Sequence, residues 1–208
     1  MENLDAGSIC MIDIVDGKID PETVLAKVRD PQCGAEVLFV GTTRQWTQRE
    51  TIAQQAIAEL EIESLPAQVE TEFLIYECYR EMALAQMQDL AVQAKERWPI
   101  KRLAIVHRVG RVLPMEASVV VAVSCPHRRE AFQAAEWLMH EIKHEVPIWK
   151  QEHYVQIGSQ WIHPTAGSCR CEPSKKVNSC NASDPQTEVK LAHVPAPGPP
   201  GDRIGTAK

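Results

Sequence analysis

The chain has 208 residues, 44% of them apolar, and a formal net charge of −6. That length and apolar share suit one domain with a real core, and the negative balance argues against a general nucleic-acid binder, whose footprint is basic. No run of about 18 apolar residues occurs, so no membrane-spanning helix is expected.

The first thirteen residues carry acids and no basic stretch ahead of their short apolar patch, which is not the pattern of a secretory signal. The seven cysteines fall at positions 10, 33, 78, 125, 169, 171 and 180. Cys10, Cys78 and Cys125 lie in apolar runs, where a thiol acts as a small hydrophobe. A reducing, cytoplasmic compartment is expected.

Ser8 to Val15 reads as a strand closed by an Asp16-Gly17 turn. Asp20-Pro21-Glu22 supplies an N-cap, a proline at the first helical position and an early acid, so a short helix follows until Asp30-Pro31. Ala35 to Val40 is a buried strand that delivers Gly41-Thr42-Thr43-Arg44 at its end. The polar, acidic stretch at about 45–70 reads as a solvated insertion, within which Thr51 to Leu65 has helical spacing. Phe73 to Tyr79 predicts a further strand. Ala83, Met87, Leu90, Ala91, Ala94 and Trp98 mark a long amphipathic helix that stops before Pro99.

Leu103 to Val109 predicts a strand, with His107 among apolar neighbours as a structural histidine. Ser118 to Ser124 is a valine-rich strand. Pro126 then opens a second long helix whose stripe is Ala131, Phe132, Ala135, Leu138, Met139 and Ile142, and which Pro147 ends. A short strand-like piece covers Tyr154 to Ile162. The expected domain is 1–163, followed at 164–208 by a Pro/Gly/Ser-rich, disordered tail. In that tail Cys169, Cys171 and Cys180 lack the spacing of a zinc site. The fold class is α+β, with a mixed, mainly antiparallel sheet and two long amphipathic helices. The sequence has no Gly-rich phosphate loop.

Five residues carry the chemistry. His127 and Arg128 stand at a helix start, where free N–H groups suit an anion. Arg44 follows a strand end. Lys143 lies near a helix C-terminus, and Lys150 follows in an extended Pro-Ile-Trp-Lys segment, beside apolar residues that would desolvate its amine. Singly, each has a bland reading as a solvated or dipole-favoured charge. Converged, Arg44, Arg128, Lys143 and Lys150 would form a positive pocket for a phosphate or carboxylate in an acidic protein.

Five segments occur in order: Phe39-Val40-Gly41-Thr42-Thr43-Arg44, Arg97-Trp98-Pro99, Ile105 to Gly110, Ser124-x-Pro126-His127-Arg128, and Lys143-x-x-x-Pro147-Ile148-Trp149-Lys150-x-Glu152. Together they resemble the large, catalytic subunit family of molybdopterin synthase, over roughly Ile9 to Ile162. The resemblance implies an α/β hammerhead-like fold. It implies a homodimer within a heterotetramer, each end docking a small ubiquitin-like sulfur-carrier subunit. The implied reaction converts cyclic pyranopterin monophosphate to molybdopterin, with two sulfurs drawn from the thiocarboxylated C-termini of small subunits.

The resemblance also assigns roles. Lys143 is the catalytic residue, with Lys150 as its partner. Arg44, His127 and Arg128 hold the phosphate or the tail carboxylate. Thr42, Thr43, Gln151 and Glu152 contact substrate, and Phe39 and Met139 match apolar pocket positions that core packing explains equally well. No metal or other cofactor is implied, because molybdenum enters after this step. One departure is that Gln45-Trp46-Thr47 stands where the family has a short Asn- and Gly-containing loop. The competing reading is an inactive relative that only binds a ubiquitin-like partner. A third, an unrelated anion-binding enzyme, lacks a phosphate loop or paired metal-binding acids.

Overall fold

In the computed structural model, residues 10–49, 52, 66–155 and 157–162 are described. The expected tail at 164–208 with its three cysteines, and all of the expected helix Thr51 to Leu65 except Ile52, lie outside them.

Cys10–Val15 forms β1. Helix α1, Pro21–Lys27, begins as its sequence dictates: the Asp20 carboxylate accepts from the Glu22 N–H at 3.1 Å, and Pro21 sits where no N–H is needed. Strands β2 (Ala35–Thr42), β5 (Arg102–Arg108) and β7 (Ala117–Cys125) join β1 in a four-stranded sheet of order β1-β5-β7-β2. β1 runs parallel to β5, and the other pairs are antiparallel.

Both faces of this sheet are covered, so β5 and β7 read as continuous apolar runs rather than alternating ones. Helices α2 (Arg80–Arg97) and α3 (Arg128–Glu145) pack on one face, where Met87, Leu90, Leu138 and Ile142 meet Ile105, Val121 and Val123. On the other face Val24 and Val28 at α1 meet Ala104, Val106, Val120 and Ala122. The period-two alternation of a strand sorts neighbouring residues between these two cores. Each fully buried Leu, Ile or Val contributes about 1.5–3 kcal/mol. Leu138→Ala, at the fully buried centre of α3, would cost about 2–5 kcal/mol.

A second sheet has the order β3-β4-β8-β9, from Trp46–Gln48, Gln68–Cys78, Ile148–Tyr154 and Gly158–Ile162, with β6 (Gly110–Val112) also beside β4. Two expectations change here. The stretch at 45–70 is not uniformly solvated: Trp46–Gln48 pairs with Gln68–Glu70, and Ile52 and Val69 bury themselves against Tyr154. A few well-placed apolar residues anchor it, too sparse to register as a periodic pattern. The piece expected at Tyr154 to Ile162 is the outer half of a hairpin. Its inner strand already begins at Ile148, and Gly158 takes a positive φ of 73° near the turn. Among the described residues no helix is long and apolar enough to cross a membrane.

Candidate active site

β2 ends against the start of β7, with Thr42 opposite Ala117 after a register shift at Gly41. Gly41 is required by close approach, since a Cβ there would come within 2.6 Å of Val119 Cγ1 and 3.3 Å of the Phe39 ring. Thr43 is then fixed through its backbone: its N–H donates to the Glu116 carbonyl at 3.1 Å, and its carbonyl accepts from the Met115 N–H at 2.8 Å. Arg44 follows, exposed.

From the end of β7 the chain turns back as α3, which packs along β7 and β2. The C-terminal end of α3 therefore lies toward the Thr42–Ala117 end of the sheet. Lys143 and His144 occupy its last turn, where the helix dipole favours cations, and Lys143 is exposed.

Val146 and Pro147 lead directly into β8. Alternation puts Lys150, Glu152 and Tyr154 on one face and Trp149, Gln151 and His153 on the other. Lys150 Nζ lies 2.6 Å from Glu152 Oε1, and the Tyr154 hydroxyl donates to Glu152 Oε2. The Thr47 hydroxyl lies near the Tyr154 phenol and 3.2 Å from the Thr71 hydroxyl. A buried polar chain thus runs from the β3–β4 pair to Lys150. Burial first, and then the Glu152 carboxylate, push the Tyr154 phenol well above its ordinary range, while the nearby positive charge of Arg44 pulls the other way. The Gln45 carbonyl accepts from the Thr71 N–H at 2.8 Å, and Thr71 pairs with Tyr154, so Arg44 leaves β2 toward the Tyr154 end of β8.

Tyr76 stands opposite Lys150 on β4, and its ring meets the His107 ring edge-on at 5.3 Å between centroids. His107 is the structural histidine the sequence predicts. Its Nδ1 pairs with the Arg108 carbonyl at 2.9 Å, and burial lowers its pKa to about 4.

Arg44, Lys143 and Lys150 are thus gathered toward one end of the fold. His127 and Arg128 are not. Arg128 opens α3 and Lys143 lies fifteen residues along it, a rise of about 22 Å. The expected single-chain convergence of all these cations fails for that reason. Other assignments change too. Thr43 is buried, so its side chain is not presented to a ligand. Glu152 is buried and committed to Lys150 and Tyr154, which makes it a holder of Lys150. Gln151 faces away from Lys150 and bonds His153 at 3.0 Å. Trp149 also faces away, packing on Tyr79, so Lys150 is flanked by an acid instead of an indole. Met139 belongs to the core, whereas Phe39 remains 38% exposed beside Gly41, and Thr42 is exposed.

Sequence reasoning missed Tyr76, Tyr154, Arg108 and Glu116. Each is an ordinary strand or turn residue by pattern, and only strand pairing shows what it touches. A cleft of about 440 Å³ lined by Tyr76, Cys78, Arg80 and Gly110 borders the strand pair that carries Lys150, but none of the candidate cations lines it.

The family of MoaE proteins matches residues 14–145. The chain belongs to the MoaE family. Arg44, His127, Arg128 and Lys143 fall inside the matched span, and Lys150 lies just beyond it. Among MoaE-family relatives, the chain is 35% identical over 144 residues to the molybdopterin synthase catalytic subunit of Bacillus subtilis, covering 69% of this chain and 79% of that protein. It is 34% identical over 173 residues to the Drosophila persimilis protein of the same description, covering 83% of this chain. The chain spans only 42% of that insect relative's length. The crystal structure of molybdopterin synthase from Staphylococcus aureus superimposes with a TM-score of 0.60 at 33% identity, over 72% of this chain and 95% of the other. A MoaE protein from Burkholderia ambifaria gives 0.55 at 31% identity, over 74% and 89%. The MoaE fold is thus an α+β one, in which three helices and two sheets are described here.

Proposed function

We propose that this MoaE-family chain is the catalytic subunit of a molybdopterin synthase. It would convert cyclic pyranopterin monophosphate to the dithiolene molybdopterin, taking one sulfur from the thiocarboxylated C-terminus of each of two small ubiquitin-like subunits. The observation that carries this reading is the gathering of Arg44, Lys143 and Lys150 toward one end of the fold in a chain of net charge −6. Such a pocket suits a substrate with a phosphate and a donor with a carboxyl-derived tail.

Lys143 assists attack by the thiocarboxylate sulfur, or handles the accompanying protons. Lys150, held by Glu152, stabilises the charge that develops. Arg44 takes the phosphate or the tail. His127 and Arg128 serve the same site from a second copy of the chain, because α3 holds them too far from Lys143 to serve it in their own. That supports a homodimer, which with two small subunits makes a heterotetramer. The reaction so written needs no metal or other resident cofactor from this chain. The free cysteines Cys33, Cys78 and Cys125 accord with a reducing, cytoplasmic setting.

The deciding assay combines purified chain, thiocarboxylated small subunit and cyclic pyranopterin monophosphate. Dithiolene product is the expected result. Binding of the small-subunit tail without turnover would overturn the enzyme reading in favour of a binding module.

A further inference from the structure

Glu116 lies outside every motif named above, yet its carboxylate takes three partners from separate places. Its Oε1 is 2.6 Å from Lys18 Nζ. Its Oε2 accepts from Arg108 Nη1 at 2.8 Å and from the Leu113 N–H at 3.1 Å. Arg108 is itself buried, and its Nη2 donates to the Arg111 carbonyl. This side-chain cluster ties down the turn from Leu113 to Glu116, in which Met115 holds a left-handed φ of 68° that a side-chain-bearing residue rarely adopts. The same turn offers both backbone bonds that pin Thr43, one from Met115 and one to Glu116. The Thr43 side chain is buried with its Oγ1 unpartnered, so it is the backbone, not the hydroxyl, that is fixed. The next residue is Arg44.

We propose that Glu116 is a positioning residue for Arg44. Lys18 and Arg108 hold Glu116, the Met115–Glu116 backbone holds Thr43, and Thr43 fixes the direction in which Arg44 leaves the end of β2. The inference rests on Arg44 as the anion ligand of the proposed function. An arginine fork gains from being set in place before its ligand arrives, because less freedom is then lost on binding. Once the cluster is cut, Arg44 still carries its charge but no longer presents it in one direction.

The test uses the full chain with its small subunit, as Glu116→Ala, Lys18→Met and Arg44→Ala, and as Glu116→Ala combined with Arg44→Ala. Lys18 is 75% exposed in its side chain, so its variant folds even if Glu116→Ala does not. Hydrogen exchange at the Thr43 amide should accelerate about tenfold in Glu116→Ala, the worth of one hydrogen bond, and by less in Lys18→Met. KM for cyclic pyranopterin monophosphate should rise about tenfold with kcat within about twofold, the mark of lost ground-state binding. In the Arg44→Ala background the Glu116 change should add nothing, because the two act through one group. Multiplying effects in the double variant would overturn the proposal, since a merely structural loss adds to the loss of Arg44. Unchanged Thr43 exchange in folded Glu116→Ala and Lys18→Met would also overturn it, whether or not the wild-type chain turns over the pterin. If the wild type shows no turnover, the proposed function fails on that result alone.

Discussion

Lys150 and Glu152 sit two residues apart on one face of β8, with Nζ 2.6 Å from Oε1. Glu152 is buried and also accepts from the Tyr154 hydroxyl, so one carboxylate serves two donors. Glu152→Ala leaves both donors without their acceptor. The expected cost is about 1–3 kcal/mol of stability, the penalty for the unpaired buried Tyr154 hydroxyl, together with loss of most turnover as Lys150 loses its fixed position. Glu152→Gln keeps an acceptor for Tyr154 and should recover much of the stability but little of the turnover. Urea unfolding and sulfur-transfer assays on the same two proteins separate these effects. Equal activity in the glutamine variant and the wild type would show that the charge on Glu152 is idle.

Lys143 is exposed in the last turn of α3 and has no ion pair with a described residue. Lys143→Ala should therefore leave stability within about 0.5 kcal/mol, as surface changes do, while removing most sulfur transfer. Near-normal product formation in this variant would remove Lys143 from the reaction.

Arg44 and Arg128 are both exposed, and neither has a described ion pair with Glu130 or Glu152. A role in holding the fold together is thus unsupported for either. Arg44→Lys and Arg128→Lys should keep the melting temperature and weaken pterin binding, because an ammonium cannot reproduce a planar fork of donors on a phosphate. Calorimetric titration of each folded variant with cyclic pyranopterin monophosphate checks this. Unchanged affinity would refute the anion pocket.

His107 makes stability depend on pH in a defined window. Its pKa falls from 6.5 to about 4 on folding, chiefly through burial. Below pH 6.5 the unfolded chain takes up a proton that the folded chain refuses. Stability from this group is therefore complete above about 6.5 and is lost as pH falls toward 4, by roughly 3 kcal/mol in all. Glu116 acts lower down: Lys18 first, then the Leu113 N–H and Arg108, hold its pKa at about 2, so its contribution is complete well above 4.5 and is lost as pH falls from there toward 2. Unfolding free energies measured between about pH 6.5 and 5.5 thus report chiefly the histidine. His107→Gln should flatten the slope there, and an equally steep slope in that variant would assign it to other groups.

The long-range frame was legible because its signals are local and repeated. The stripe from Ala131 to Ile142, in which Phe132 alone of the expected residues stays exposed, and the valine run of β7 need only their own residues to declare a helix and a buried strand. Lys150 was legible as a candidate but its environment was not. Trp149 is its neighbour in sequence, yet strand alternation sends that ring to the opposite face, while Glu152, two positions on, reaches the amine. Thr47 was hidden more deeply. Its polar neighbours mark a loop, and its burial comes from pairing with a strand more than twenty residues later. Glu116 carried no sequence signal, because a turn acid becomes informative only when Lys18, Arg108 and Thr43 arrive around it from three other parts of the chain.

The length of α3 has a genetic corollary. If Lys143 of one chain works with Arg128 of another, two different inactive alleles can rescue each other. Lys143→Ala and Arg128→Ala chains, each dead by itself, would yield one intact centre and one doubly defective centre in every mixed pair. With random pairing about a quarter of wild-type activity would return on co-expression, whereas two lesions confined to a single chain's own centre would never complement.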